Sequence, residues 1–369
     1  MFLGVLFAYL VGNFYIFFRV WGALARCSCF GSLFFRILFS VLFWGAAVSL
    51  FAALFSRGFS LPQGLSGGLY NIGSVWLVFV LYMVLALLAV DIFKVVFSRI
   101  GNLSFLLARF GTIGALCFTA VLLLGGYINY KNPRIEEVTI DLNSSAPIVK
   151  SLKIVAVSDV HLGHATGKNS LQKYVQLINN QSPDIILIGG DLIDNDVTPL
   201  WDQRMWEELG ELSAPMGIYM VPGNHEFISG IEAAEEFLKQ TPIVLLRDSS
   251  VVLPCGLKIV GRDDRSNRNR LSVSDLLDSS DDIPSILVDH QPYDVALKDS
   301  LGVAIQFSGH THRGQVWPLN LLVDKMYEQS CGYRKWNNSH VIVSSGLSLW
   351  GPPFRIGTTS DLWVIKIRF

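Results

Sequence analysis

Five of the chain's seven histidines fall in short motifs of its C-terminal half, each with acidic or amide company. The motifs are Asp159-Val160-His161, Gly190-Asp191, Gly223-Asn224-His225-Glu226, Asp289-His290 and Gly309-His310-Thr311-His312; only Gly190-Asp191 lacks a histidine. Imidazole, carboxylate and amide oxygen suit divalent metals of borderline hardness. Two such ions side by side imply hydrolysis of a phosphate ester, because a metal pair can clamp both the attacking and the leaving oxygen.

The spacing within each motif suggests a task. Asp159 and His161 lie two apart on a segment leaving a β-rich run, so a turn can aim both at one ion. Asp191 follows a glycine that lets the backbone bend closely, and a carboxylate there can bridge two cations ~3.5–4 Å apart. Asn224 offers a neutral amide oxygen, while His290, His310 and His312 offer imidazoles that must be neutral to bind metal. His310 and His312, two apart in extended chain, would point to opposite sides, one toward each ion. Any one of these residues alone reads as turn or capping chemistry. The ordered set carries the expectation.

The elements that position them alternate. Ile154 to Val160 reads as a strand, Ser170 to Asn180 as a helix with Leu171, Val175 and Ile178 on one face, and Asp184 to Gly189 as a buried strand. A helix through Trp201 to Leu212 follows, then strands Gly217 to Val221, Pro284 to Val288 and Val303 to Phe307, with further strands from His340 to Phe369. Each motif thus stands at the C-terminal end of an apolar run. In open α/β architectures that edge is where strand ends converge and sites form.

In this order the motifs resemble the calcineurin-like metallophosphoesterase superfamily. Ser158-Asp-Val-His-Leu-Gly163, Gly309-His-Thr-His-Arg-Gly-Gln315 with Trp317-Pro318, and the later Gly346 and Trp350-Gly-Pro-Pro353 are similar to its membrane-associated bacterial branch. The resemblance covers about residues 150–369. It implies a four-layer α/β/β/α sandwich. It also implies a ligand division: Asp159, His161 and His312 on one metal, Asn224, His290 and His310 on the other, Asp191 bridging. It further implies that a hydroxide between the metals attacks phosphorus in line, with His225 stabilising charge or protonating the leaving oxygen. An imidazole beside Glu226 could stay cationic near neutral pH for that purpose. Arg313 is a candidate phosphate clamp and His164 a candidate substrate contact. His340 reads as structural.

The N-terminal part is of another kind. The chain is 51% hydrophobic and 16% charged, and the apolar excess sits before Tyr130. Four runs, about Phe2 to Leu24, Ile37 to Phe55, Ile72 to Phe97 and Phe105 to Ile128, have the ~20 residues a helix needs to span a bilayer. The first has neither the charged flank nor the small-residue cleavage site of a signal peptide. The expected organisation is an all-α bundle of about four transmembrane helices over residues 1–130, a polar linker over 131–149 and the α/β domain over 150–369.

Arg19 and Asp91 lie near span ends and read as interfacial. Arg26 and Arg36 in the first loop, and Lys94, Arg99 and Arg109 around the third, outweigh Arg57 in the second. The positive-inside rule then places loops one and three in the cytoplasm and the catalytic half outside, in a multi-pass protein of the cell membrane.

A net charge of −1 with no basic stripe argues against a nucleic-acid partner. Cys255 and Cys331 could pair in an oxidising compartment, two free thiols being the alternative. The densest charge run, Arg262 to Arg270, reads as a solvated or lid-like loop, or as a binder of an anionic lipid headgroup. The reading is a membrane-anchored hydrolase of a phosphate mono-, di- or pyrophosphate ester. It uses two divalent ions, Mn, Fe, Zn or Mg, and anchoring points to a phospholipid or lipid-linked substrate. The alternative is a scaffold or binding module that keeps the fold without turnover. A transporter or sensor would carry ionisable residues deep in its spans, and these are scarce.

Overall fold

The structure, a computed structural model, describes residues 2–26, 28–55, 63–142, 150–277 and 283–369. It divides into two compact units, residues up to Tyr127 with Gly351–Pro353, and Ile128–Trp350 with Phe354–Phe369.

The first unit contains helices α1 (Phe2–Leu24), α2 (Leu33–Phe55), α3 (Gln63–Val96) and α4 (Gly101–Lys131), whose last turn belongs to the second unit. All four are long and apolar enough to cross a membrane. Phe17, Phe39, Phe43 and Trp76 interlock α1, α2 and α3 through ring contacts at 4.9–5.8 Å. Arg19 and Asp91, each read as interfacial, also pair with one another: Arg19 Nη1 lies 2.6 Å from both Asp91 oxygens, and the Tyr15 hydroxyl donates to the same carboxylate. Opposite charges near an apolar medium gain more from each other than either gains alone. Arg57 lies outside the described residues.

The second unit begins where a linker was expected. Residues 134–141 alternate between exposed and inward positions, with Val138 and Ile140 buried, and form strand β1 (Arg134–Asp141). The polar alternating half of an edge strand resembles a linker in composition, and only its partner β12 (Asp361–Arg368), which it pairs in parallel, reveals it. With β2 (Ser151–Val157), β3 (Ile185–Ile188), β4 (Ile218–Met220) and β5 (Ile243–Leu245) they form a six-stranded sheet ordered β1-β12-β2-β3-β4-β5. The second six-stranded sheet has β6 (Ser249–Val252), β7 (Lys258–Gly261), β8 (Ser285–Val288), β9 (Ile305–Ser308), β10 (Gly332–Lys335) and β11 (His340–Val343), ordered β10-β11-β9-β8-β7-β6.

Between the sheets, Ile154, Ile185, Leu187 and Ile365 pack against Ile259, Ile286, Val288 and Phe307. At ~1.5–3 kcal/mol for each fully buried side chain, this layer holds the two sheets together. The outer face of the first sheet (Val155, Val157, Ile186, Ile188) is covered by helix α5 (Lys168–Asn179) through Leu171, Val175 and Ile178. The single helix expected over Trp201 to Leu212 is instead two, α6 (Thr198–Asp202) and α7 (Trp206–Leu209), because Arg204 takes a left-handed φ of 51° between them. Helices α8 (Asn224–Ile228) and α9 (Ile231–Leu238) follow, and Phe237 of α9 completes the cover. The outer face of the second sheet is met by α10 (Val273–Leu276) through Val273 and by α11 (Val295–Ser300) through Val295. The four-layer order is therefore helix, sheet, sheet, helix.

Asp299 fastens α11 to the β10–β11 turn: its Oδ1 accepts from the amides of Asn338 at 2.8 Å and Ser339 at 2.9 Å. Burial opposes the carboxylate's charge, but those amides outweigh it and hold its pKa below the usual value. A depressed folded-state pKa stabilises the fold above the unfolded value near ~3.9, and the gain is lost as pH falls through the lower folded value. Asp299→Ala should therefore cost about 1–3 kcal/mol at pH 7. The gap in thermal midpoint between wild type and variant in detergent should narrow below about pH 4; a gap independent of pH would exclude the charged carboxylate as the cause.

Candidate metal centre

β2, β3 and β4 run parallel in one sheet, β8 and β9 in the other, and every metal-type motif leaves one of these strands at its C-terminal end. Asp159, His161, Asp191, His310 and His312 all adopt left-handed backbone, with φ of 56°, 49°, 51°, 70° and 46°. Such conformations are uncommon outside glycine and persist where the surroundings over-determine them. Here bonds between strand ends do so: Asp159 N donates to Gly190 O at 3.0 Å, His161 N to Asp191 O at 3.0 Å and Gly309 N to His290 O at 2.9 Å. The loops also approach too closely for side chains. A Cβ on Gly223 would stand 2.2 Å from Asp191 Oδ1, and one on Gly346, at φ +95°, would stand 2.9 Å from Asp159 Cβ.

The result is a set of overlapping groups. Ligand-type atoms of Asp159, His161 and His312 lie within 4.8 Å of one another, as do those of Asp191, His290 and His310, and those of His161, Asp191 and His225. His161 and His312 thus fall in one group and His290 and His310 in another, and Asp191 lies in two groups, one of which includes His161. The premise of an extended Gly309–His312 segment was wrong, since His312 opens a short turn, His312–Gly314. Two successive left-handed histidines still send the rings to different groups.

The atoms facing inward fit cations. His290 Nδ1 donates to Gly189 O at 2.7 Å, which fixes the proton on that nitrogen and leaves Nε2 as a lone pair. That lone pair sits 3.1 Å from Asp191 Oδ2, another acceptor. His161 Nε2 and His312 Nε2 face each other at 3.1 Å, and His312 Nε2 is 3.3 Å from Asp159 Oδ1. The Asn224 side-chain oxygen is buried with no hydrogen-bond partner. Acceptors this close without donors between them are arranged for positive charge. Burial pushes His310 down to about 4 and His312 to about 3, keeping both rings neutral as ligands must be; His290 runs the other way, burial lowering its pKa but the Asp191 carboxylate raising it well above the usual value, a charge that a cation between them would replace. Burial raises and the neighbouring imidazoles lower Asp159 and Asp191, and the net is a pKa below the usual carboxylate range for both.

His225 has a different partner from the one expected. Its Nδ1 lies 3.2 Å from Asp194 Oδ1 and 3.2 Å from the Asp194 carbonyl. Burial disfavours the charged ring, but Asp194 more than offsets this and raises its pKa. Glu226, fully buried, instead accepts from the amides of Gly223 at 2.7 Å, Asp191 at 3.0 Å and Ile193 at 2.9 Å. Burial drives its pKa up to about 7, and its work is to tie two ligand loops together. Asp194 escaped the sequence reading because it stands outside the paired motifs; its place three residues after Asp191 was the available signal.

Other expectations resolve differently. Arg313 pairs with Asp324 at 3.4 Å, and His164 is exposed on the turn after Leu162; neither joins the ligand groups. The charge run 262–270 is not wholly solvated. Arg262 is buried 3.2 Å from Asp289, Arg270 lies 3.5 Å from it, and Lys298 of α11 lies 2.8 Å away. Unpaired, the buried Asp289 beside His290 would be costly, so the run turns inward. Cys255 and Cys331 are free thiols. The fully buried Arg355, unremarked in the sequence, donates to the carbonyls of His312 at 2.8 Å and Ser348 at 3.0 Å, and to those of Ser345 and Gly346.

Two outcomes follow from this geometry. Asp194→Asn should lower the rate of phosphoester cleavage by roughly 10–10²-fold, and because its Oδ1 also lies 3.6 Å from His161 Nδ1 the metal content is measured alongside; an unchanged rate at full metal content would exclude Asp194 as the group that keeps His225 charged. Arg355→Met removes a guanidinium that donates to four carbonyls, two of which keep a backbone donor, and should reduce metal stoichiometry by mass spectrometry together with thermal stability, by about 3 kcal/mol or more.

The sequence profile of calcineurin-like phosphoesterases matches residues 152–314. An uncharacterized metallophosphoesterase of Helicobacter pylori is 32% identical over 250 residues, 66% of each chain. A transmembrane protein with metallophosphoesterase domain from Danio rerio is 32% identical over 275 residues, 70% of this chain and 62% of its own. An uncharacterized metallophosphoesterase of Campylobacter jejuni is 29% identical over 376 residues, covering 99% of this chain and 97% of its own, so that likeness extends through the four apolar helices. With profile, relatives, layered sheets and clustered Asp/His groups in agreement, the chain belongs to the calcineurin-like metallophosphoesterase superfamily.

Proposed function

We propose that the chain is a membrane-anchored phosphoesterase that hydrolyses a phosphate mono-, di- or pyrophosphate ester. The observation that carries this reading is Asp191 standing in two groups of ligand atoms, with His225 and Asp194 beside them. Asp159, His161 and His312 would hold one divalent ion, Asn224, His290 and His310 the other, with Asp191 shared. When bound, such a pair supplies Lewis-acid activation of the phosphoryl group and an activated water. The chain's own residues do the rest. His290, its tautomer fixed by Gly189 O, presents only Nε2 inward. His225, kept cationic by Asp194, offers a proton at Nε2 to the departing oxygen. Arg313 is the nearest guanidinium in sequence to the ligands and would meet a phosphate by releasing Asp324.

Four apolar helices in the same chain support residence in a bilayer as a multi-pass protein, and the Lys/Arg bias of the loops supports a catalytic unit outside the cytoplasm. A domain so tethered meets membrane lipids at high effective concentration. The substrate class proposed is therefore amphiphilic, a phospholipid or a lipid-linked phosphate.

The test assays metal-reconstituted full-length protein against mono-, di- and pyrophosphate lipids in mixed micelles, beside soluble nucleotide esters. Lipid esters should be cleaved faster. His225→Ala should lose ~10²–10⁴-fold in rate while keeping its metal, and Asp191→Ala should lose both metal and turnover. Activity untouched by Asp191→Ala would refute the site. Inertness of the metal-loaded wild type across the panel would favour a scaffold.

A further inference from the structure

Helix α12 (Leu319–Met326) follows the His310-Thr311-His312 segment by only six residues and packs the wrong way round for a soluble protein. At 100° per residue, Leu319, Leu322, Val323 and Met326 share one arc, the i, i+3, i+4, i+7 pattern that normally faces a core. Here that arc looks outward: Leu319 is 45% exposed, Leu322 59% and Met326 59%. Leu321 and the preceding Trp317 are exposed as well. One flank of the helix faces the protein. Asn320 is the helix's buried residue, and Asp324 receives Arg313 and the Ser330 hydroxyl. The polar edge is thus held down by specific contacts while the apolar arc is left uncovered. Leu319, Leu322 and Met326, exposed on one arc, form with the exposed Trp317 before them the kind of patch that marks an interaction site.

We propose that α12 with Trp317 is an interfacial element that lays its apolar arc on a lipid bilayer, so that the metal centre works at the membrane surface. The inference rests on the reading that the four apolar helices of the chain lie in that bilayer, and it names the surface that meets it. Lipid is the occupant that the chain itself supplies, because a tethered unit never leaves the neighbourhood of the membrane. The chemistry matches. An interfacial helix needs an apolar arc of this width, a tryptophan at headgroup level and a basic residue that can reach outward; Trp317 and Lys325 are both exposed. The attachment is also short. Trp317 N donates to Ile356 O at 2.7 Å, and Gln315 N to His312 O at 2.9 Å, so the segment joining α12 to His312 is fixed.

The test uses the full-length protein in nanodiscs of zwitterionic and anionic phospholipid. A photo-crosslinking benzoylphenylalanine replaces Leu322 or Met326, and Glu236 on α9 as the exposed control. Lipid adducts at 322 and 326, at least tenfold above position 236, are expected. Adducts to a second copy of the chain, or none above the control, would overturn the proposal. Crosslinking needs no turnover, so its outcome is separate from that of the phosphoesterase assay. As a second readout, Leu322→Asp/Met326→Asp should cleave bilayer-embedded ester at least tenfold more slowly while a soluble bis-aryl phosphate is cleaved at the wild-type rate. Equal losses on both substrates would mean that the helix serves only the fold.

Discussion

Four carboxylates are brought together at the ligand rim with almost no access to water: Asp159 and Glu226 fully buried, Asp191 2% exposed and Asp194 with a side chain 14% exposed. Burying one uncompensated carboxylate is costly, and four within one rim would oppose folding unless each found a partner. Each finds a different one. Glu226 is spread over three amides, Asp194 is shared by His161 and His225, and Asp159 receives the His310 amide. Asp191 accepts the His225 amide but faces a lone pair of His290 with its other oxygen. What remains is negative charge and acceptor atoms directed at common points. The proposed ions answer that requirement, and they would couple metal binding to the stability of the rim.

The same constraint explains how the sheets are used. Parallel strands bring their C-terminal ends to one edge, and the inter-sheet layer of Ile154, Ile185, Ile286 and Phe307 keeps the two edges adjacent. Hydrogen bonds across those ends then set five candidate ligands in left-handed backbone, a conformation uncommon outside glycine. Arg355 adds a second clamp from behind, on the His312 carbonyl and the 345–348 turn.

Much of this was legible in the sequence because ligand types and strand runs are local signals. The order of motifs, each after a β-rich run, carried the layered fold and the seven candidate ligands. What stayed hidden is non-local. β1 resembles a linker until β12 is beside it, and Asp289 gives no sign that Lys298, Arg262 and Arg270 converge on it. The partner of His225 was misassigned to its neighbour Glu226 because adjacency in sequence says nothing of side-chain direction. A helix-terminal glutamate three residues past Gly223 turns back to cap the chain, which a capping pattern could have suggested.

The rim also separates two kinds of imidazole. His310 and His312 are half-buried and set beside other histidines, and desolvation together with that proximity holds their rings neutral, ready to donate lone pairs. His225 is buried, yet Asp194 sits at its Nδ1 and reverses the balance, so the ring holds a proton instead. The rings of His161 and His225 stand edge to face with centroids 4.6 Å apart. Asp194 Oδ1 stands 3.2 Å from Nδ1 of His225 and 3.6 Å from Nδ1 of His161, so one carboxylate backs both rings. The contrast between His225 and the pair His310 and His312 thus follows from which Nδ1 atoms a carboxylate reaches, and Asp194 reaches that of His225 from three residues beyond Asp191 on the same loop.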